Sequence, residues 1–335
     1  MQKRAGKKRA NLRDVASKAG VSVATVSRVM NNPDSVAPDT RERVETAMRA
    51  LHWTPSAAAR AINSGRTRFV GALVPTLDSD IFARVLAEME SRLALHRLSL
   101  VVATTGGDAD IEAQKAQALL DIGAEGLLVS GAAHSPEFRA LLERTRLPAV
   151  ATSWYDPDFL LPTVGYDNRA AANLALGHLA DLRHTRIAVL HGPVENNDRT
   201  EARLSALRES DVELSFHQTA LSVAGGRDAT REVIRATPQP SALLCLSDVL
   251  AAGAIYECHH AGIKVPQDMS IIGTDDLPGS SQLHPALTTV HLPVGRMGRI
   301  AADAIANWVE AHQRPADRLL DIELMVRETT APPVG

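Results

Sequence analysis

The chain has 335 residues, 45% apolar and 3% aromatic, with 36 Lys+Arg against 39 Asp+Glu and a formal net charge of −3. That length predicts two or three domains, and no apolar run is long enough to span a bilayer, so no membrane partner is expected. The near-neutral total hides a division, because residues 1–68 carry 14 Lys+Arg against 5 Asp+Glu and residues 69–335 carry 22 against 34. A basic head on an acidic body is the electrostatic footprint of nucleic-acid binding.

Lys3, Arg4, Lys7, Lys8 and Arg9 form a basic leader over residues 1–10 that either follows phosphates or serves solubility. No apolar stretch follows it, so it does not read as a signal peptide, and a cytoplasmic location is expected. Residues 12–31, LRDVASKAGVSVATVSRVMN, then read as two short helices joined by a tight turn. Leu12, Val15 and Ala19 give the first helix an apolar face, with Asn11 as its N-cap. Gly20 supplies the permissive turn backbone. Ser22 caps the second helix, and Val26 and Val29 face the core. Val23, Ala24, Thr25, Ser27 and Arg28 remain outward, a set of methyls, hydroxyls and a guanidinium suited to thymine methyls, phosphates and a guanine edge.

Asn31-Asn32-Pro33 is a stop signal, and Pro38 opens a third helix whose Val44, Met48 and Leu51 recur at core spacing. Trp53-Thr54-Pro55 breaks the chain again. The alanine-rich segment from Ser56 to Asn63 is a marginal helix alone in water, either a plain tether or a linker that orders when something packs on it.

From Phe69 the texture alternates. FVGALV, LSLVVA, GLLVS, PAVAT, IAVLH, ALLCL and SIIGT read as strands, separated by helices near 82–96, 111–122, 136–145, 168–183, 200–210, 226–236 and 249–262. This predicts two parallel sheets with helices on both faces and a ligand between them, at the carboxyl ends of the strands. Cys245 and Cys258 sit in apolar segments and read as two buried thiols. Cys258-His259-His260 does not make a metal site, since three adjacent helical side chains diverge. No cofactor is expected.

The ordered set DVASKAGVSVATVSRVMNN, TRERV, the segment from Pro55 to Gly65, and VGALVP resembles the LacI/GalR family of bacterial repressors. VGYDN (164–168), RLSAL (203–207), SDVLAAGA (247–254), KVPQDMSIIGTDD (264–276), PALTTVHLP (285–293) and VRETTAPP (326–333) continue the match in order. The resemblance implies an all-α helix-turn-helix headpiece and a periplasmic-binding-protein-like α/β body of two doubly wound parallel-sheet subdomains. Its implied divisions are a leader over 1–10, a headpiece over 11–55, a hinge over 56–67 and a body over 68–335. Within the body, residues 68–165 go with 292–324, and 166–291 with 325–335.

The resemblance also implies a homodimer on double-stranded, pseudo-palindromic operator DNA, with affinity controlled by a small effector in the body cleft. Val23 and Ala24 match the pair that chooses operator bases, Arg28 the arginine that reads a guanine, and Ala59 and Ile62 the hinge positions that enter the minor groove. Isoleucine stands where that wedge is usually leucine. With Asn11, Ser22, Thr25, Ser27 and Asn31, these are the expected DNA contacts. Arg203, Asp248 and Asp275 match the family's polar effector contacts, and a cleft arginine and aspartates suit paired hydroxyls independently. Asp78, Phe82, Ser153 and Trp154 follow strands one and four and are expected at the same cleft, Trp154 either stacking on a sugar or simply packing. Thr274 replaces a usual aromatic and Ala206-Leu207 a usual Gly-Phe.

The effector class stays open among a sugar, a sugar acid and a nucleoside. Residues 254–273 and 293–298 are most similar to the gluconate-operon branch, and Arg203 could meet an acid's charge. An enzyme is excluded by the lack of a phosphate loop, metal spacing or nucleophile elbow, and adjacent Asp275 and Asp276 point to opposite sides of a strand. The rival reading is an architectural DNA-binding dimer indifferent to any effector. The end RETTAPPVG has no heptads, so no tetramerising tail is expected.

Overall fold

A computed structural model describes residues 10–31, 33–54 and 65–333. Contacts divide the chain into Met1–Arg68 and Phe69–Gly335. The proposed hinge contacts Ala59 and Ile62, the side chain of Asn31 and the basic leader up to Arg9 lie outside the described residues.

In the head, α1 (Leu12–Ala19) opens on Asn11, whose side chain accepts from the Arg13 and Asp14 amides while Asp14 returns a bond to the Asn11 N–H. This reciprocal cap satisfies N–H groups that the first helical turn leaves without partners. Gly20 ends α1 at φ +65°, and the Val21 amide reaches back to the Ala16 carbonyl. After α2 (Val23–Asn31) a 3₁₀ turn, Pro33–Ser35, leads to α3 (Pro38–Ala50) with proline at its first position. Val15, Ala16, Ala19, Val26, Val29, Val44 and Ala47 bury together, with Leu12, Met48, Leu51 and Trp53 packed at the edge.

The body holds two six-stranded sheets. The first contains β1 (Phe69–Val74), β2 (Ser99–Thr104), β3 (Ala124–Ser130), β4 (Ala149–Thr152), β5 (Thr163–Gly165) and β11 (Arg318–Leu319), in the order β11-β5-β4-β3-β1-β2, all parallel. The second contains β6 (Arg186–His191), β7 (Glu213–Gln218), β8 (Ala242–Cys245), β9 (Ser270–Asp275), β10 (Thr288–His291) and β12 (Glu323–Met325), in the order β12-β10-β9-β8-β6-β7. Among the described residues, only the β10–β12 pair is antiparallel.

Period-two burial explains how each sheet is covered on both faces. Along β6, Ile187 and Val189 join one buried cluster while Ala188 and Leu190 join another. Along β1, Val70, Ala72 and Val74 face the larger cluster and Leu73 the opposite one. The helices are α4 (Asp80–Leu95), α5 (Ala109–Asp121), α6 (Pro136–Thr145), α7 (Asn168–Asp181), α8 (Asp198–Arg208), α9 (Val223–Val233), α10 (Asp248–His260) and α11 (Val294–Ala311). The larger cluster is continuous through both sheets and includes Met89 and Leu93 of α4, Leu179 of α7 and Ile305 of α11.

Several elements differ from expectation. Helix α11 was not among the expected helices, although Val294, Met297, Ala301, Ile305 and Val309 are buried at helical spacing. Gly295 and Gly298 in its first two turns weaken its intrinsic propensity, and packing against α4 overrides that. Strands β5, β7, β10, β11 and β12 were also missed, being short or, like ELSFHQ in β7, mixed in polarity at a sheet edge. The division proposed at 324/325 falls inside β12, which hydrogen-bonds to β10 in the second sheet. Cys245 and Cys258 are buried free thiols. Among the described residues, no helix is long and apolar enough to cross a membrane.

Candidate functional site

Each sheet changes winding direction between neighbouring strands, β1 and β3 in the first and β6 and β8 in the second. The crevice beyond the carboxyl ends of such strands is where open α/β sheets hold ligands. A cavity of about 380 Å³ lies there. Pro75, Thr76 and Asp78 reach it after β1, Ser153 after β4, Gly192, Pro193 and Glu195 to Asn197 after β6, and Leu246 and Ser247 after β8, while Asp275 ends β9.

Arg203 on α8 is buried. Its Nε donates to Asn168 Oδ1 at 3.1 Å and one terminal nitrogen donates to the Leu246 carbonyl at 3.1 Å. Asn168 in turn donates to the Ser153 carbonyl at 3.0 Å. The guanidinium is therefore oriented by the fold before any ligand contact, with further N–H groups left to serve one. Asp275 is buried and accepts from the Ser247 hydroxyl at 2.9 Å. Burial, with the Asp248 carboxylate adding to it, pushes Asp275 up to about 7 against the opposing pull of Arg203 and Ser247. Phe82 and Ile81 of α4, with Leu221 and Leu246, supply apolar wall.

The structure thus brings Asp78, Phe82, Ser153, Arg203 and Asp275 to one cleft. It does not bring Asp248 and Trp154 there. Asp248 accepts from the Leu277 amide at 2.9 Å and from the Ser280 and Thr289 hydroxyls, both at 2.5 Å. Both of its oxygens are thereby occupied, and it pins α10 to the segments around β9 and β10. Burial raises its pKa despite those bonds. Trp154 is half-buried, with its indole nitrogen enclosed, and does not line the cavity. A residue next to a strand end points into or away from the crevice according to local backbone geometry, and spacing alone does not decide that.

Tyr166, Asn196, Asn197, Arg199, Thr200 and Ser247 line the cavity without having been singled out, and Asn168 orients Arg203 from behind. The tracts VGYDN and SDVLAAGA already contained Tyr166, Asn168 and Ser247. A polar residue where a strand turns into a helix was the available signal.

On the head, Val23, Ala24 and Arg28 are exposed, and Thr25 and Ser27 are half-buried, while Val26 and Val29 turn inward. The Ser22 hydroxyl accepts from the Thr25 amide at 3.0 Å and bonds the Thr25 hydroxyl at 2.9 Å. Asn11 and Ser22 therefore spend side-chain oxygens on helix starts. The result is a short helix presenting small side chains and one guanidinium along one face, the form of a recognition helix for the major groove.

A helix-turn-helix head on the same chain as a doubly wound, cleft-bearing body defines a class, the DNA-binding transcription regulators. Residues 11–56 match the model for bacterial regulatory proteins of the lacI family, and residues 176–330 that for a periplasmic binding protein-like domain. The HTH-type transcriptional repressor CytR of Escherichia coli K12 is 31% identical over 332 residues, 96% of each chain. The ribose operon repressor of Haemophilus influenzae is 30% identical over 308 residues, 90% of this chain and 92% of that one. A crystal structure of the lac repressor dimer bound to operator and the anti-inducer ONPF superposes with a TM-score of 0.87 at 26% identity, covering 97% of this chain and all of the other. The chain belongs to the LacI family, and it is a DNA-binding transcription regulator and not an enzyme.

Proposed function

We propose that the protein is a dimeric repressor whose operator affinity is set by a neutral polyhydroxylated effector, a sugar or a nucleoside. Two heads on a near-palindrome multiply the limited specificity of one short recognition helix. Val23, Ala24, Thr25, Ser27 and Arg28 contact the operator, with Arg28 reading a guanine. Ala59 and Ile62 enter the minor groove between the half-sites, and Asn11, Ser22 and Asn31 border the phosphates.

The observation that carries the effector class is the pairing in one cavity of the buried, pre-oriented Arg203 with the buried Asp275. A guanidinium and a carboxyl side by side suit hydroxyls that donate to one and accept from the other. A sugar acid fits less well, because its anion would also face Asp78 and Glu195, and Arg199 is already held by Asp198. The two tracts most similar to the gluconate-operon branch, 254–273 and 293–298, contain no residue that lines the cavity. That likeness therefore says nothing of the effector.

The test is operator binding by the whole protein at fixed salt, titrated with pentoses, hexoses, nucleosides and gluconate. A neutral compound should shift the affinity, and Arg203→Ala should abolish the shift while sparing DNA binding. A response to gluconate alone would move the effector to the sugar acids. Tight binding that no compound alters would favour the architectural dimer.

A further inference from the structure

One contact bridges the two halves of the body at the edge of the effector cavity. The loop after β3, residues 131–134, belongs to the first sheet, and α8, which starts at Asp198, belongs to the second. The Ala132 and Ala133 amides both donate to Oδ2 of Asp198, Ala133 at 3.0 Å. Its Oδ1 accepts from the Arg199 amide and guanidinium, each at 2.8 Å. The Asp198 and Arg199 side chains are only 14% and 13% exposed. Four N–H groups thus converge on one enclosed carboxylate, and charge-assisted bonds of this kind are the stronger ones.

Both sides of the contact are shaped for it. Gly131 has φ +87°, and a Cβ there would lie 2.6 Å from Asp198 Oδ2 and collide with the Arg199 guanidinium. Any side chain at 131 is therefore excluded twice, by backbone conformation and by space. Three residues further along the loop, His134 is buried and bonds Glu112 of α5 through Nδ1 at 2.7 Å. The loop is tied to its own sheet by His134 and to the other by Asp198. Arg203 lies five residues beyond Asp198 on the same helix, and Asn196, Asn197 and Arg199 line the effector cavity.

We propose that Asp198 is a positioning residue, a latch that fastens the first turn of α8 to the loop after β3 and so sets how far the effector cleft closes. The effector then acts on an equilibrium that this contact already biases, because a ligand shifts such an equilibrium only by its differential affinity for the two states. The latch is independent of which compound the cleft takes, and its test uses no effector.

The experiment is amide hydrogen exchange on the full chain, comparing wild type with Asp198→Ala, Asp198→Asn and Gly131→Ala. Asp198→Ala should speed exchange at 131–134 at least tenfold. It should also speed exchange at 192–197 on the other sheet, where the Asn197 amide is bonded to the Val194 carbonyl. The sheet interiors should stay protected. Gly131→Ala, approached from the opposite side of the contact, should give the same pattern, and Asp198→Asn, which keeps an acceptor for the two amides, should recover part of the protection. Change confined to 131–134 would reduce Asp198 to a local cap and overturn the proposal. So would no change, faster exchange throughout the body, or different patterns for Asp198→Ala and Gly131→Ala.

Discussion

The head and the body solve the same problem with very different means. Among the described residues, the buried core of the head consists of valines and alanines alone, Val15, Ala16, Ala19, Val26, Val29, Val44 and Ala47. The body buries Tyr166, Phe138, Met89 and a long series of leucines on both faces of two sheets. A thin core leaves little margin, since small domains bury a smaller share of their surface. In return, the base-reading residues proposed for the head lie in one continuous stretch of α2, 23–28. The cleft, in contrast, is gathered from separate stretches scattered between Pro75 and Asp275. Contiguous function rests on a fragile scaffold, and dispersed function on a robust one.

The largest effect expected from that contrast is in the body. Asp248→Ala strands three buried donors, Leu277 N–H and the Ser280 and Thr289 hydroxyls, and should cost about 3 kcal/mol. Denaturant unfolding would show it as a lowered body transition, and a loss below about 1 kcal/mol would restore Asp248 to a role in the cleft. Next comes Val26→Ala, which removes two buried methyl groups from the head and should cost roughly 2 kcal/mol there. Operator binding should fail while the body melts at its usual temperature. A body transition that moved along with it would erase the distinction drawn between the two units.

Smaller again is Arg28→Ala. Losing one guanine-reading guanidinium should weaken operator binding by about 1–3 kcal/mol and relax preference at a single base position. Equal weakening on every DNA sequence would instead assign Arg28 to a phosphate. The smallest effect concerns pH. Asp275 is raised to about 7 by burial and by Asp248, so the folded protein holds that proton more tightly than the unfolded chain does. Its contribution to stability is full below the ordinary aspartate range and is lost as pH rises through about 7. Asp275→Asn should therefore flatten the decline in melting temperature between pH 4 and pH 8, and parallel curves would show that Asp275 ionises normally.

How much of this was legible follows the same division. Asn11, Gly20 and Ser22 could be read from the chain because a cap, a turn and a helix start are decided within four residues. The inward turn of Val26 and Val29 follows from helical period, and the outward turn of Val23, Ala24 and Arg28 is its complement. The longer apolar strands were legible as β-branched and apolar runs, whereas β5, β10, β11 and β12 were not, being only two to four residues long, and β7 was not, because half its residues face water. For α11 the local signal, with its two glycines, pointed away from the helix that packing against α4 creates.

The chain by itself determined a basic reading head, an alternating body and the presence of a polar cleft at strand ends, since these depend on composition, period and short-range turns. Only the tertiary structure decided that Asp275 faces the cleft while Asp248, 27 positions earlier, is consumed by three internal donors. It also decided that Trp154 turns away and that Asp198 meets a loop from the other sheet. The reason is physical. Which donors surround a buried carboxylate is set by strands brought together from distant parts of the chain, and no local pattern encodes that meeting.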